Sequence, residues 1–204
     1  MILLNGNVII VPMIVCYMTI RGILVGMKYQ KLAQVQWQRE MIHLLFVVYI
    51  GCVISVTLFP FPIGFPHESH LLFRSINLVP LVSIMGDISQ IGTAYDGDVL
   101  FMVSLIARNV GGNILLFMPF GFLAPFLWDK TKSLKGIVLW GFVVSVTIEC
   151  LQLLESLKGG WGRVTDIDDV ICNGIGAMLG YFVYVLTRKI EVNYQIRRMN
   201  NRGA

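Results

Sequence analysis

The sequence predicts an all-α, polytopic membrane protein of about five transmembrane helices, with its N-terminus outside and its C-terminus inside. Three observations carry this. Of 204 residues, 56% are hydrophobic and only 14% are charged, with a mean hydropathy of +0.73, whereas a soluble domain carries about a quarter charged residues. The apolar residues fall into five runs near the roughly 20 residues that a helix needs to cross the hydrocarbon core. Lysine and arginine gather in alternate loops, the bias that orients spans.

The runs are residues 2–20, 41–59, 110–128, 136–154 and 170–187. The first has no basic residue ahead of it and no small-residue cleavage site behind it, so it reads as a retained span rather than a signal peptide. The second ends at Pro60, Pro62 and Pro66, because proline cannot continue the helical hydrogen-bond ladder. The third follows apolar residues 99–107, and the whole stretch would measure roughly 45 Å as helix. That is too long for one untilted crossing, so 99–107 is expected at the interface, in a re-entrant segment or as a part of span three. Pro119, in mid-span, is expected to kink the helix and release a carbonyl. The last two runs are the cleanest. Trp37, Trp128, Trp140 and Trp161 fall near span ends, as aromatic belts require. One domain covering 1–204 is expected, with its motifs between about 77 and 187.

After the first span, Arg21, Lys28, Lys31 and Arg39 outweigh Glu40. Lys130, Lys132 and Lys135 outweigh Asp129 after the third, and Arg188, Lys189, Arg197, Arg198 and Arg202 outweigh Glu191 in the tail. These segments are assigned inside. Glu68, Asp87, Asp96 and Asp98 outweigh Arg74 and Arg108 between spans two and three; Glu155, Asp166, Asp168 and Asp169 outweigh Lys158 and Arg163 between four and five. Those are assigned outside. The basic tail reads as an orientation signal and a contact for anionic membrane lipid, not as a nucleic-acid arm.

Cys16, Cys52, Cys150 and Cys172 lie in apolar stretches without framework spacing, so they read as packing residues. His67, Glu68 and His70 form H-E-x-H, which lacks the spacing of a zinc helix. The sequence has no G-x-S-x-G, phosphate loop or dinucleotide fingerprint, and neither a metal nor another cofactor is expected.

Polar residues enter the later spans in a pattern. Thr165 followed by Asp168 is a capping-box-like start, with acidic residues favoured at the positive end of the helix dipole. Asp166, Asp169, Asn173, Gly176 and Gly180 follow a 3-4-3-4 spacing and form one stripe, polar above and small below. The glycines mark a helix-packing face, so the acids above them point into the bundle. Glu149 and Gln152 share one side of span four. A carboxylate within a span needs a partner, and Arg163 or Arg108 is the expected one. Arg108, Asn109 and Asn113 reach the same end on span three, with Gly111 and Gly112 expected to allow close approach.

Asn77-Leu78-Val79-Pro80, the stretch NILLFMPFGFLAP at 113–125, Glu149 with Gln152, and R-V-x-D-I-D-D-x-x-x-N-x-x-G-x-x-x-G at 163–180 together resemble the VanZ-like family. That family is named for a membrane protein associated with resistance to the glycopeptide antibiotic teicoplanin. The resemblance covers roughly half of the chain, from Asn77 onward. It implies a small multi-pass protein of the bacterial plasma membrane that affects sensitivity to teicoplanin-like drugs.

The favoured reading is an extracytoplasmic polar pocket that binds or shields a lipid-linked cell-wall precursor or a lipophilic glycopeptide. Arg108 and Arg163 would meet anionic groups, and Asn77, Asn113, Gln152 and Asn173 would supply hydrogen bonds. Glu149, Asp166, Asp168 and Asp169 would hold the arginines in place. The alternative is an intramembrane enzyme acting on a lipid-linked phosphate, with Mg²⁺ on Asp166 and Asp169, with or without Glu149, and Arg163 on the phosphate. No nucleophile or histidine accompanies these motifs, so no catalytic residue is assigned. A transporter fits least, because the inner halves of the spans are nearly all apolar.

Overall fold

In lipid every backbone polar group must be satisfied within the chain, and a helix does so within one segment. The structure, a computed structural model, describes residues 2–4, 6–30, 36–63, 76–157 and 164–200. In chain order it runs β1 (Ile2–Leu4), α1 (Asn7–Gln30), α2 (Trp37–Leu58), β2 (Phe61–Ile63), β3 (Ile76–Asn77), α3 (Val82–Ser89), α4 (Val99–Leu127), α5 (Leu134–Leu157), β4 (Thr165–Asp166) and α6 (Ile167–Asn200). Helices α1, α2, α4, α5 and α6 are long and apolar enough to cross a membrane. The chain is therefore a five-span helical membrane protein.

The two short sheets tie helix ends together. β1 pairs antiparallel with β2, joining the start of α1 to the end of α2. β3 pairs in parallel with β4, joining the approach to α3 to the start of α6. Gln152 near the end of α5 donates to the Thr57 carbonyl near the end of α2 at 3.0 Å. At the opposite end Arg21 of α1 pairs with Glu40 of α2, and Phe46 meets Trp128 edge-on, with centroids 4.9 Å apart. Successive spans thus alternate in direction. Asp87, Asp96, Asp98 and the α6 aspartates share one end, while Arg39, Lys130, Lys132, Lys135, Arg188 and Lys189 share the other.

The core sits between α2, α4, α5 and α6, built on Val53, Phe117, Phe120, Ala124, Ile137, Ile148 and Ala177. Its tightest seam runs between α4 and α6, which lie parallel. A Cβ on Gly176 would stand 2.1 Å from the Ile114 carbonyl oxygen, one on Gly180 2.0 Å from that of Met118, and one on Gly121 2.0 Å from that of Ala177. The G-x-x-x-G of α6 is therefore a packing face, as its spacing suggests. By contrast α1 packs chiefly on α2 at the edge of the bundle, with Val11, Val15, Ile23 and Met27 all more than half exposed in the isolated chain, a face suited to lipid.

Four expectations are corrected. The first apolar run does not start as helix at residue 2: residues 2–4 form a strand, and α1 continues to Gln30. Arg21 consequently lies within α1, paired to Glu40, not in a loop. Residues 99–107 are neither re-entrant nor a separate interfacial piece, because Asp98 caps the helix through the Phe101 N–H at 2.9 Å and α4 runs unbroken through Pro119 and Pro125. At roughly 44 Å it exceeds the hydrocarbon thickness and is accommodated by tilt or projection. Gly111 and Gly112 do not mediate a close helix contact, since a Cβ on either would meet nothing within 4 Å.

The seam generates a test. Gly176→Leu forces α4 and α6 apart at backbone level and should cost at least the ~1–3 kcal/mol typical of overpacking. Gly174→Ala, whose Cβ meets nothing within 4 Å, should be neutral or stabilising. Thermal midpoints in detergent, followed by size-exclusion chromatography, check both; equal midpoints for the two variants would contradict the seam.

Candidate functional site

At the acidic end, the chain leading into α6 is fixed by hydrogen bonds from three directions. Asp166 donates its backbone N–H to Oε2 of Glu149 at 3.0 Å, while the Thr165 hydroxyl donates to the Glu149 carbonyl at 3.4 Å. Oδ1 of Asp166 accepts from Nδ2 of Asn77 at 3.0 Å and from the Asp168 backbone N–H at 2.9 Å. Asp166, the residue before α6, is thus its N-cap, the position that aspartate favours. Asn77 also donates to Oγ of Ser83 at 2.8 Å and accepts the Val79 N–H at 3.2 Å through Oδ1, the local turn that asparagine side chains make.

Asp168 does not cap its own helix. Its Oδ1 accepts the Leu81 N–H, and its Oδ2 accepts the Ile84 N–H at 3.2 Å. Leu81 is the N-cap residue of α3, with left-handed φ of 66° and no side-chain cap of its own. The first turn of a helix offers unsatisfied N–H groups and positive potential. Here a carboxylate from another helix, only 2% exposed, supplies what the local sequence lacks. The expected Thr165–Asp168 capping box is replaced by Asp166 on α6 and Asp168 on α3.

The remaining polar residues divide. Asn113 of α4 donates to Oδ1 of Asp169 at 2.5 Å. Asn173, 3% exposed, donates to Oγ of the fully buried Ser145 at 2.8 Å, and its own carbonyl oxygen has no partner among the described residues. Gln152 turns from the cluster to α2. Arg108 is exposed and makes no hydrogen bond or ion pair with a described residue, so the expected Glu149–Arg108 pair is absent and the carboxylates do not hold Arg108. Their partners are backbone N–H groups and amides, which satisfy a buried carboxylate without a second desolvated charge. Arg163, like His67, Glu68 and His70, lies outside the described residues.

Above this frame opens a cleft of about 610 Å³ bounded by α3, α4 and the start of α6. Arg108, Asn109, Asn113, Asp87, Asp166, Asp168 and Asp169 supply its polar lining, with Val56, Leu116 and Cys172 among its apolar contacts. Gly112 lines it too, so its small size keeps the cleft open. Among the described residues no group of three or more His, Cys, Asp or Glu side chains could hold a metal ion.

Sequence reading missed Ser145, Ser83, Asp87 and the whole of α3. Ser145 was recoverable, because it stands four residues before Glu149 on the same helix face. Eight-residue α3 carries no cap in its own sequence, so nothing local announced it.

The Asp168 cap predicts a graded response. Asp168→Ala leaves two N–H groups without their acceptor and should destabilise the α3 region by ~1–3 kcal/mol. Asp168→Asn retains one acceptor and should lose less. Hydrogen exchange over residues 82–89 measures this; unchanged protection in Asp168→Ala would show that α3 is held by something else.

The family model described as VanZ/LLP1 matches residues 46–188. Among curated proteins, the chain is 32% identical over 82 residues to Protein VanZ of Enterococcus faecium, an overlap covering 40% of this chain and 47% of that protein. The chain thus spans about half the length of this curated relative. No solved structure matches it significantly. The family match takes in α4, α5, the polar frame and α6 as far as Arg188 together: the chain belongs to the VanZ/LLP1 family.

Proposed function

We propose that the protein is a binding or shielding module of the bacterial plasma membrane. Its polar cleft opens on the outer side and takes the anionic group of a lipid-linked envelope component or of a lipophilic, teicoplanin-type glycopeptide. The observation that carries this reading is the guanidinium of Arg108, unpaired among the described residues, in a cleft where Asp166, Asp168 and Asp169 are already engaged by N–H groups and amides. Arginine presents a planar fork that matches phosphate or carboxylate with two hydrogen bonds. Asn109 beside it adds hydrogen-bonding capacity, and Arg163, which precedes the cleft residue Val164, is the second candidate cation. The outward orientation rests on the excess of lysine and arginine at the opposite end.

The metal-dependent enzyme alternative requires Asp166 and Asp169, with or without Glu149, to converge on one ion. Their engagement with Asn77, Asn113 and the Asp166 backbone favours a structural role. Membership of the VanZ/LLP1 family and similarity to Protein VanZ support the link to glycopeptide resistance.

Expression in a teicoplanin-susceptible Gram-positive host tests the reading. The wild type should raise the inhibitory concentration, and Arg108→Ala at matched membrane levels should cancel most of the rise, because a charge-assisted hydrogen bond is worth ~1.5–3 kcal/mol, about tenfold or more in affinity. Asp169→Asn should keep partial function. Full protection by Arg108→Ala, or loss in Asp169→Asn together with stimulation of reconstituted protein by Mg²⁺, would overturn the binding reading.

Orientation has its own measurement. In a cysteine-free background on intact cells, a membrane-impermeant thiol reagent should label Asp96→Cys at the cleft end and leave Lys132→Cys unlabelled. The reverse pattern would turn the cleft toward the cytoplasm and remove the proposed access from outside.

A further inference from the structure

A second site lies at the basic end of the bundle, far from the cleft. There α4 stops at Leu127, Trp128 becomes extended, and a short 3-10 turn at Asp129–Thr131 leads to α5. Two cavities flank this break and share Leu127 and Asp129 as walls. One, of about 610 Å³, mixes apolar walls with basic groups, Arg39 from the start of α2 and Lys132 from the turn. The other, of about 640 Å³, is predominantly apolar, formed by Phe46, Ile50, Phe120, Trp140 and Val144, with Lys130 at its rim. Trp128 contributes to the apolar wall and packs edge-on against Phe46.

We propose that these two cavities form one binding site for an anionic phospholipid, with the headgroup phosphate between Arg39 and Lys132 and an acyl chain in the groove beyond Trp128. The charge balance favours that occupant. Among the residues lining the two cavities, Arg39, Lys130 and Lys132 are opposed by one carboxylate, that of Asp129, which bonds Lys132 at 2.6 Å. Arg39 has no side-chain hydrogen bond or ion pair with a described residue, so its guanidinium is available. The Lys132 ammonium, helped by Arg39, holds the Asp129 carboxyl below its usual range, so that neutralisation is local and leaves net positive charge around the turn.

The depth also fits. The site lies where α2 begins, α4 ends and α5 begins, flanked by Trp37, Trp128 and Trp140, and tryptophan prefers the headgroup level. Basic pockets between membrane helices attract anionic headgroups, at ~1 kcal/mol per Lys or Arg. A free phosphate would use the cations but leave the groove empty, whereas a neutral lipid would use the groove but not the cations. The site is independent of the cleft and of which side of the membrane either faces.

Tryptophan quenching in reconstituted vesicles tests the proposal. Brominated phosphatidylglycerol and brominated phosphatidylcholine are compared at equal mole fraction in unbrominated phosphatidylcholine. The wild type should bind the anionic lipid about tenfold or more tightly, as two cations contributing together predict. In Arg39→Gln/Lys132→Gln the preference should fall to near unity; both side chains are exposed, so folding is unaffected, and unchanged circular dichroism verifies that. The control Lys189→Gln, at the same end but outside both cavities, should keep the preference. Equal quenching by the two lipids in the wild type, an unchanged preference in the double variant, an equal loss in Lys189→Gln, or displacement by millimolar inorganic phosphate would each overturn the proposal.

Discussion

The rest of the bundle depends on α4 and α6 approaching to backbone distance. In lipid the hydrophobic effect contributes little to helix association, so close packing and interhelical hydrogen bonds must hold the spans together. Gly121, Gly176 and Gly180 permit that approach by presenting no side chain to the facing carbonyls. Because the two helices run parallel, the same contact carries Asp169 to Asn113 one step above the glycines. It also sets the start of α6 beside α5, within reach of Glu149, and beside β3, within reach of Asn77. The seam below and the polar frame above are one construction: small residues bring the helices together, and the resulting proximity lets short polar side chains meet.

Carboxylates at the mouth of an apolar helix look at first like a metal or substrate site. Their geometry assigns most of them to other work. Glu149 holds the strand entering α6, Asp166 caps α6, Asp168 caps α3, and Asp169 anchors α4. Each accepts hydrogen bonds that would otherwise be missing from a buried segment, where an unmet donor is costly. The cation on the cleft wall is left uncommitted. Among the described residues the cleft thus combines carboxylates engaged in the framework with an Arg108 guanidinium that none of them pairs, the arrangement on which the proposed binding role rests.

What could be read from sequence was whatever one helix contains. The five apolar runs, the alternation of basic and acidic ends, and the packing role of Gly176 and Gly180 are periodic or compositional, and each survived. The length rule failed for residues 99–107 because it assumes an untilted helix, whereas Asp98 starts α4 early and no residue within it stops it. Gly111 and Gly112 were misread because small size permits close packing without requiring it. The target of Asp168 was invisible for a different reason: Leu81 and Ile84 lie 87 and 84 positions away, and no local signal joins them. Asn113, Asp166, Asp168 and Asp169 meet at one cleft while Gln152 turns to α2, and their partners could not be read from sequence, since partnership is set by tertiary contact.

That long-range cap bears on the making of the protein. The first turn of α3 obtains its acceptors from a residue at the head of the last membrane helix, so while the ribosome is still producing α4 and α5 this turn has only water to satisfy it. The segment over the cleft therefore remains unfinished until α6 enters the membrane, when one insertion event closes the α4 seam, pairs β4 with β3 and caps α3. A chain interrupted before α6 would keep four of its five spans and lack the wall of the cleft that Asp166, Asp168, Asp169 and Cys172 supply. Completion of the cleft is thus coupled to completion of the polypeptide.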